Sequence, residues 1–157
     1  MNKILLRVAF ADDDTDDHLL FVTAMKSHYI SPIIDCFLDS HDLLEFYTRR
    51  KHIPPHLFFL DKNMPGNTDY ECLNRIATTE LLSKIPIVIF STSDSAAEQE
   101  RALAMGASGF ITKPTTFSET VQLLTESIHR LTRLDFLTKE FINTTVVRRE
   151  GIPIQKK

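Results

Sequence analysis

Short apolar runs and amphipathic stretches alternate along the chain. Five runs are almost continuously apolar or rich in β-branched residues, which is typical of strands covered on both faces. They are LRVAFA (6–11), IIDCF (33–37), LFFL (57–60), IPIVIF (85–90) and SGFIT (108–112). Between them, apolar residues recur every three or four positions, which predicts helices with one buried stripe. The stripes are Leu19, Val22, Met25 and Tyr29, then Leu73, Ile76 and Ala77, then Val121, Leu124, Ile128 and Leu131.

This alternation of strand and helix predicts the fold class. Repeated βαβ units with right-handed crossovers build a parallel sheet between two layers of helices. We therefore predict an α/β fold, a doubly wound (βα)5 domain, over about residues 5 to 132. Residues 133–157 are too few for a separate output domain and are predicted to be a C-terminal extension. This extension could lengthen the last helix, pack on the domain or exchange with a partner chain.

Composition narrows the class of protein. A chain of 157 residues with 43% hydrophobic content can bury one core. Its net charge of −3 gives no general attraction to DNA or to an anionic membrane. No apolar run approaches the ~20 residues needed to cross a bilayer, and no cleavable leader is visible, so we expect a cytoplasmic protein. Cys36 and Cys72 show no metal-ligand spacing and are expected to be reduced, buried thiols.

Polar side chains follow four of the five predicted strands. Asp12, Asp13 and Asp14 come after the first strand and Asp61 after the third, whereas Ser91 with Thr92 follows the fourth and Lys113 the fifth. Ligands of an open parallel sheet gather outside the carboxyl ends of its strands. The sequence therefore predicts that carboxylates, a hydroxyl and an ammonium group meet at one edge of the molecule.

Crowded carboxylates either raise the pKa of one another or bind a hard cation. Mg²⁺ fits this composition, because it prefers oxygen ligands from one or two carboxylates, completed by water and phosphate. A strand-end carboxylate beside a metal can also act as a nucleophile on phosphorus and form an acyl phosphate. A lysine and a serine would then bind the added phosphoryl oxygens.

These residues resemble the receiver domain of bacterial two-component response regulators. The resemblance covers roughly residues 6 to 132 and rests on four separated elements in the same order. They are the acid pair Asp12-Asp13, the D-x-x-M-P-G loop from Asp61 to Gly66, Ser91 after IVIF, and Lys113-Pro114 after Phe110.

The resemblance implies a role for each matching residue. Asp61 would be the phosphoacceptor, and Asp12, Asp13, Asp61 and the backbone carbonyl of Asn63 would bind Mg²⁺, for which Mn²⁺ could substitute. Ser91, accompanied by Thr92, and Lys113 would bind the phosphoryl group, with Phe110 as the aromatic residue that changes rotamer. The bond between Lys113 and Pro114 would be cis. The fold would be flavodoxin-like with strand order 2-1-3-4-5.

The resemblance also implies partners. A sensor histidine kinase or a phosphotransfer protein would donate the phosphoryl group, a downstream protein would read the change of the face formed by the fourth helix, fifth strand and fifth helix, and a homodimer could form. Such a regulator catalyses only its own phosphorylation and dephosphorylation, so we do not expect an enzyme. The alternative is a receiver-like interaction module that works without phosphorylation.

Departures from the family pattern and simpler explanations remain open. Thr68-Asp69 stand where Asp-Gly is frequent, and Phe110 stands where tyrosine is common. About six residues precede the first strand, so the metal-binding pair could slip by one position within Asp12 to Asp14. The acids from Asp12 to Asp17 could simply feed a helix N-cap, Asp61 could be a turn residue, and Ser91 with Thr92 could cap a helix.

Other phosphate and metal motifs fit less well. The D-x-D-x-[T/V] signature of haloacid-dehalogenase phosphatases fails, because Asp16 takes its last position when counted from Asp12, and Asn63 its second acid when counted from Asp61. An EF-hand that began at Asp12 would need Gly and Glu where the chain has Asp17 and Thr23.

Overall fold

The described residues form five strands that alternate with five helices. The structure is a computed structural model, and it describes residues 2–49, 52–66 and 70–139. The strands are β1 Arg7–Ala11, β2 Ile33–Phe37, β3 Leu57–Leu60, β4 Ile87–Ser91 and β5 Gly109–Thr112, and the helices are α1 Thr15–His28, α2 Ser40–Arg49, α3 Glu71–Thr78, α4 Ala96–Ala104 and α5 Phe117–Thr132. The five predicted strands are confirmed, each within two residues at either end.

The strands form one parallel sheet in the order β2-β1-β3-β4-β5. This confirms the predicted doubly wound order, with the winding reversed between β1 and β3. In register, Ala11 lies opposite Phe37 on one side and Leu60 on the other, while Leu60 lies opposite Ile89. The carboxyl ends of β1, β3, β4 and β5 therefore meet along one edge.

Alternate residues of the central strands build two separate cores. One core packs Val8, Phe10, Leu57, Phe59, Val88 and Phe90 against α1 and α5. The other core packs Ala9, Ala11, Phe58, Leu60, Ile87 and Ile89 against α2, α3 and α4. Because β3 and β4 are buried on both faces, their sequences are apolar up to Ser91 at the end of β4.

The buried stripe of α1 agrees with the predicted one only in part, because Met25 and Tyr29 are buried as predicted but Leu19 is not. Leu19 is 69% exposed, whereas Phe21, Ala24, Met25 and His28 face the sheet. Phe21 stacks on Phe10 with ring centroids 4.1 Å apart. Both sets of residues have helical spacing, so periodicity alone could not choose between them, and the fit of Phe21 on β1 decides.

The prediction that both cysteines are buried is confirmed for one of them. Cys72 is buried on α3, but Cys36 is exposed because its strand, β2, is an edge of the sheet. A continuously apolar strand was expected to be covered on both faces, and an edge strand is not.

Residues 134–139 pack on the domain after α5 ends. The Ile4 N–H donates to Asp135 O, and the Leu137 N–H donates to Ile4 O, both at 3.1 Å. The Ile30 N–H donates to Leu137 O at 3.0 Å. Phe136 is buried beside Tyr29, with ring centroids 6.3 Å apart. The first part of the extension therefore packs on the domain, one of the three arrangements considered.

Two predictions concern residues outside the described ranges. The Thr68-Asp69 turn and the extension beyond residue 139 lie there. Within the described ranges, every helix is too short or too polar to cross a lipid bilayer.

Candidate functional site

The ammonium group of Lys113 lies at the centre of the strand-end cluster. Its Nζ is 2.8 Å from Asp12 Oδ2, 2.7 Å from Asp17 Oδ2 and 3.2 Å from Asp61 Oδ1. The Lys113 backbone N–H donates to Ser91 O at 2.6 Å, which anchors the residue at the end of β4. The parallel register thus brings together residues about 100 positions apart, as the strand-end argument predicted.

The charged groups of this cluster are largely shielded from water. The side chains of Asp12 and Asp61 are only 1% and 8% exposed, and that of Lys113 is 14% exposed. Burial alone would lower the pKa of Lys113, but hydrogen bonds to Asp12 and Asp17 and the charge of Asp61 raise it above its usual range. Lys113 is therefore a fixed cation at this edge.

Burial raises the pKa of the two buried carboxyl groups in the cluster, those of Asp12 and Asp61. Burial raises the pKa of Asp12 to about 6, although Lys113 and the Asp14 N–H, 2.9 Å away, both lower it. Burial also raises the pKa of Asp61, against the charge and hydrogen bond of Lys113 and a hydrogen bond from the Asn63 backbone. The single ammonium group of Lys113 does not fully offset the cost of burying two carboxylates. A second cation would therefore stabilise the charged forms of Asp12 and Asp61 further.

Three carboxylates are arranged to share such a cation. Ligand oxygens of Asp12, Asp13 and Asp61 lie within 4.8 Å of one another. Asp14 is used differently, because it is the N-cap of α1 and its side chain accepts from the Asp16 N–H at 2.8 Å. The structure therefore favours Asp12 with Asp13 over the register shifted by one residue.

Asp17 belongs to the cluster although the sequence reasoning did not place it there. It lies in the first turn of α1, so its carboxylate points back towards the end of β1 and reaches Lys113. The signal was present as an acid five positions after Asp12, but it became meaningful only once Asp14 was known to start the helix. Its charge is one more reason why Lys113 stays in place.

The hydroxyl predicted for phosphate binding is buried at the end of β4. Ser91 is the last residue of the strand, is fully buried, and accepts from the Ser93 N–H at 3.2 Å. Thr92, the next residue, is exposed. Of the two, Ser91 is thus the residue whose hydroxyl is buried at the carboxyl edge of the sheet.

A family model described as "Response regulator receiver domain" matches residues 8–125. The chain belongs to the response regulator receiver family. The fold and the strand order are those of a receiver.

Similar sequences come from plants. The two-component response regulator ARR6 of Arabidopsis thaliana is 33% identical over 81 residues, or 52% of this chain and 43% of that protein. ARR9 of the same plant is 31% identical over 98 residues, or 62% of this chain and 41% of that protein. The matched region therefore spans less than half the length of these relatives. The resemblance to bacterial regulators implied a bacterial origin, which stays a prediction.

Solved structures share the fold. The phosphorylated cyanobacterial phytochrome response regulator RcpA superimposes with a TM-score of 0.73 at 20% identity, covering 82% of this chain and 94% of that one. The Mn²⁺-bound form of the response regulator Rcp1 gives a TM-score of 0.71 at 18% identity, covering 83% and 98%. At these identities the likeness shows the receiver fold alone.

The two remaining predicted site residues are Phe110, in β5, and Asn63, in the connection after β3. Phe110 lies in β5 opposite Ile89, is half-buried, and packs against the core on the side of α4. Asn63 is exposed in the connection after β3, and its backbone N–H bonds the Asp61 carboxylate. The contribution of the Asn63 carbonyl to a metal site stays a prediction.

The prediction of a cis peptide bond between Lys113 and Pro114 is wrong. The resemblance implied a cis bond, but no cis bond occurs among the described residues. The trans form is lower in free energy by about 0.5–1 kcal/mol at a proline, and here Lys113 reaches its three carboxylates with the bond trans.

Proposed function

We propose that this receiver accepts a phosphoryl group on Asp61 from the phosphohistidine of a sensor histidine kinase or a phosphotransfer protein. The observation that carries the proposal is the buried trio of Asp12, Asp61 and Lys113, with Asp13 beside it. A buried carboxylate flanked by a fixed cation and two further acids suits nucleophilic attack on phosphorus better than a structural ion pair.

The transfer balances without an additional reactant. A carboxylate oxygen of Asp61 attacks phosphorus, the bond between phosphorus and the imidazole nitrogen breaks, and its electron pair stays on the imidazole. The products are an acyl phosphate and a histidine. Lys113, which already lies 3.2 Å from an Asp61 oxygen, then pairs with the oxygens of the phosphoryl group.

The donor set fits Mg²⁺, and Mn²⁺ could substitute for it. Asp12, Asp13 and Asp61 would hold the ion with the backbone carbonyl of Asn63, and their oxygens already lie within 4.8 Å of one another. When bound, the ion would neutralise the charge on the phosphoryl oxygens during transfer. The raised pKa values of Asp12 and Asp61 mean that a second cation here relieves an existing cost.

The signal would be read at the surface formed by α4, β5 and α5. A phosphoryl group adds about −1.5 to −2 charges and three acceptor oxygens. Ser91 would move inward to donate to it, and Phe110 would turn towards the space left behind β4. We propose a cytoplasmic signalling protein that reports to a downstream protein, with dimerisation as one mode of output and no separate enzymatic substrate.

The test is phosphorylation by a small donor. Incubation with Mg²⁺ and acetyl phosphate, followed by intact mass measurement, should add one phosphoryl group, and chelation of the metal should prevent it. Asp61→Asn should abolish labelling without loss of fold, whereas Asp16→Asn, which removes an exposed acid close by, should label normally. Absence of labelling in a folded wild-type protein would favour the alternative, an interaction module that works without phosphorylation.

A further inference from the structure

The N-terminus of α4 contains a capping sequence whose glutamate is used elsewhere. Ser95 and Glu98 have the spacing of a capping box, in which the glutamate normally reaches back to the serine N–H. Ser95 Oγ does accept from the Glu98 N–H at 3.4 Å. However, the Ser95 N–H donates to Ser93 Oγ at 3.2 Å, and Glu98 Oε1 lies 2.5 Å from Lys62 Nζ.

Lys62 is the residue that directly follows Asp61. The ion pair of Lys62 with Glu98 therefore connects the phosphoacceptor loop to the first turn of α4. The two side chains are 22% and 32% exposed. The hydrogen bond between them raises the pKa of Lys62 and lowers the pKa of Glu98, so both groups are charged throughout the neutral range.

Tyr70 contacts both residues of this ion pair. The Lys62 ammonium lies 5.6 Å from the centroid of its ring, and its hydroxyl donates to the backbone O of Glu98 at 3.3 Å. Tyr70 is 1% exposed and has a left-handed backbone conformation with φ of 63°. A non-glycine residue adopts that conformation at a cost, and the contacts of the ring and hydroxyl offset it.

Glu98 is also linked to the switch serine. The Ser93 hydroxyl lies close enough to the Glu98 carboxylate to lower its pKa, and the Ser93 N–H donates to Ser91 Oγ at 3.2 Å. The loop between β4 and α4 is thus fixed at Ser91, at Ser93 and, through Glu98, at the residue next to the phosphoacceptor. An inward movement of Ser91 would carry Ser93 with it.

We propose that the Lys62–Glu98 ion pair stabilises the unphosphorylated arrangement of the β4–α4 loop and thereby limits how readily the receiver switches. Lys62 and Glu98 are positioning residues in this proposal, which rests on the proposed phosphorylation of Asp61.

Two consequences of phosphorylation weaken the ion pair. The phosphoryl charge arises on the neighbour of Lys62 and attracts its ammonium group away from Glu98. The movement of Ser91 and Ser93 takes the Ser93 hydroxyl, which lowers the pKa of Glu98, away from that carboxylate. Once released, that carboxylate can bond the Ser95 N–H and complete the capping box. Since the pair favours one state only, its removal must shift the equilibrium towards the other.

The experiment measures the binding of beryllofluoride, a phosphoryl mimic, to the full chain in the presence of Mg²⁺ by calorimetry. Glu98→Gln should bind it about two- to ten-fold more tightly than the wild type, because less of the binding free energy is used to break the pair. Tyr70→Phe, which removes one bond to Glu98 without a change of charge, should shift affinity in the same direction by a smaller factor. Glu100→Gln is the control, since it removes an exposed acid from the same helix.

The outcomes separate the two proposals. Tighter binding by Glu98→Gln than by Glu100→Gln supports the inference, and a variant that is merely damaged would bind more weakly. Equal or weaker binding by Glu98→Gln, in a protein whose wild type is labelled by acetyl phosphate, overturns it while the proposed function stands. A wild type that takes neither beryllofluoride nor a phosphoryl group overturns both.

Discussion

The ammonium group of Lys113 lies 2.7 Å from a carboxylate oxygen of Asp17, although 96 positions separate the two residues. The first turn of α1 therefore competes with any phosphoryl group for the same cation. It also ties the end of β5 to a helix on one face of the sheet.

Asp17→Asn should keep phosphorylation but weaken the fold. The amide retains the size of the side chain and loses the charge, so the free energy of unfolding should fall by about 0.5–1.5 kcal/mol in urea titrations at neutral pH. Labelling by acetyl phosphate should be retained. Asp16→Asn, in the same helical turn but exposed, serves as the control and should change neither property.

Lys113→Met should be the most damaging substitution in the cluster. Without its ammonium group, Asp12 and Asp61 become buried charges with no cation, which costs about 3–5 kcal/mol. The loss should be smaller below about pH 6, where Asp12 takes up a proton, and burial raises the pKa of Asp61 in the same direction. Mg²⁺ should restore part of the loss. Urea titrations with and without Mg²⁺ measure this, with exposed Lys84→Met as the control. An equal loss at all pH values would contradict the assignment.

Asp13 and Asp14 should separate metal binding from helix capping. Asp13→Ala should weaken Mg²⁺ binding in calorimetric titrations and leave stability in the absence of metal nearly unchanged, since Asp13 is exposed. Asp14→Ala should do the reverse, because loss of the α1 N-cap costs about 1 kcal/mol. If Asp14→Ala lost Mg²⁺ and Asp13→Ala did not, the metal register would be shifted by one residue.

Ser91→Ala should still be phosphorylated but should not switch. In the proposed mechanism the Ser91 hydroxyl follows the phosphoryl group, whereas the nucleophile is Asp61. Beryllofluoride should therefore change hydrogen exchange in α4 and β5 of the wild type and of Ser91→Thr, but much less in Ser91→Ala. Phe110→Ala should uncouple binding from this change in the same way. A wild-type response in both alanine variants would place transmission elsewhere.

The free energy of unfolding should fall on acidification because of His28. This residue is 8% exposed, its Nδ1 has no hydrogen-bond partner among the described residues, and burial lowers its pKa below 6.5. It adjoins a cavity of about 400 Å³ whose charged and titratable walls include Lys3, Glu126, His129 and Asp135. The unfolded chain thus binds a proton before the folded one does, and stability that is complete above pH 6.5 is lost below it.

His28→Leu should reduce that loss, by up to about 1.4 kcal/mol for each unit by which burial lowers the pKa. Urea titrations from about pH 7.5 to 5.5 compare the two slopes. His56, whose pKa burial also lowers, remains in both proteins, and exposed His41→Gln is the control. Parallel slopes for His28→Leu and the wild type would contradict the prediction.

Several features could be predicted because they depend on local pattern alone. Continuous apolar runs separated by helical spacing require a covered parallel sheet, and the carboxyl ends of such strands meet at one edge. The positions of four residues at one edge of the sheet therefore follow from the sequence alone: Asp12, Asp61, Ser91 and Lys113. Family resemblance added the roles, and the order of the strands followed from it.

Other features depended on which surfaces meet in space. The stripe of α1 turned on the fit of Phe21 against Phe10, because two sets of residues with helical spacing were available. Cys36 is exposed since only strand order shows that β2 is an edge. Asp17 pairs with Lys113, and Glu98 pairs with Lys62 instead of capping its own helix. Both ion pairs join segments that are distant in the sequence. Sequence determined which groups lie at the strand ends, and packing decided which partner each charged group has, because an ion pair depends on distances that no local pattern contains.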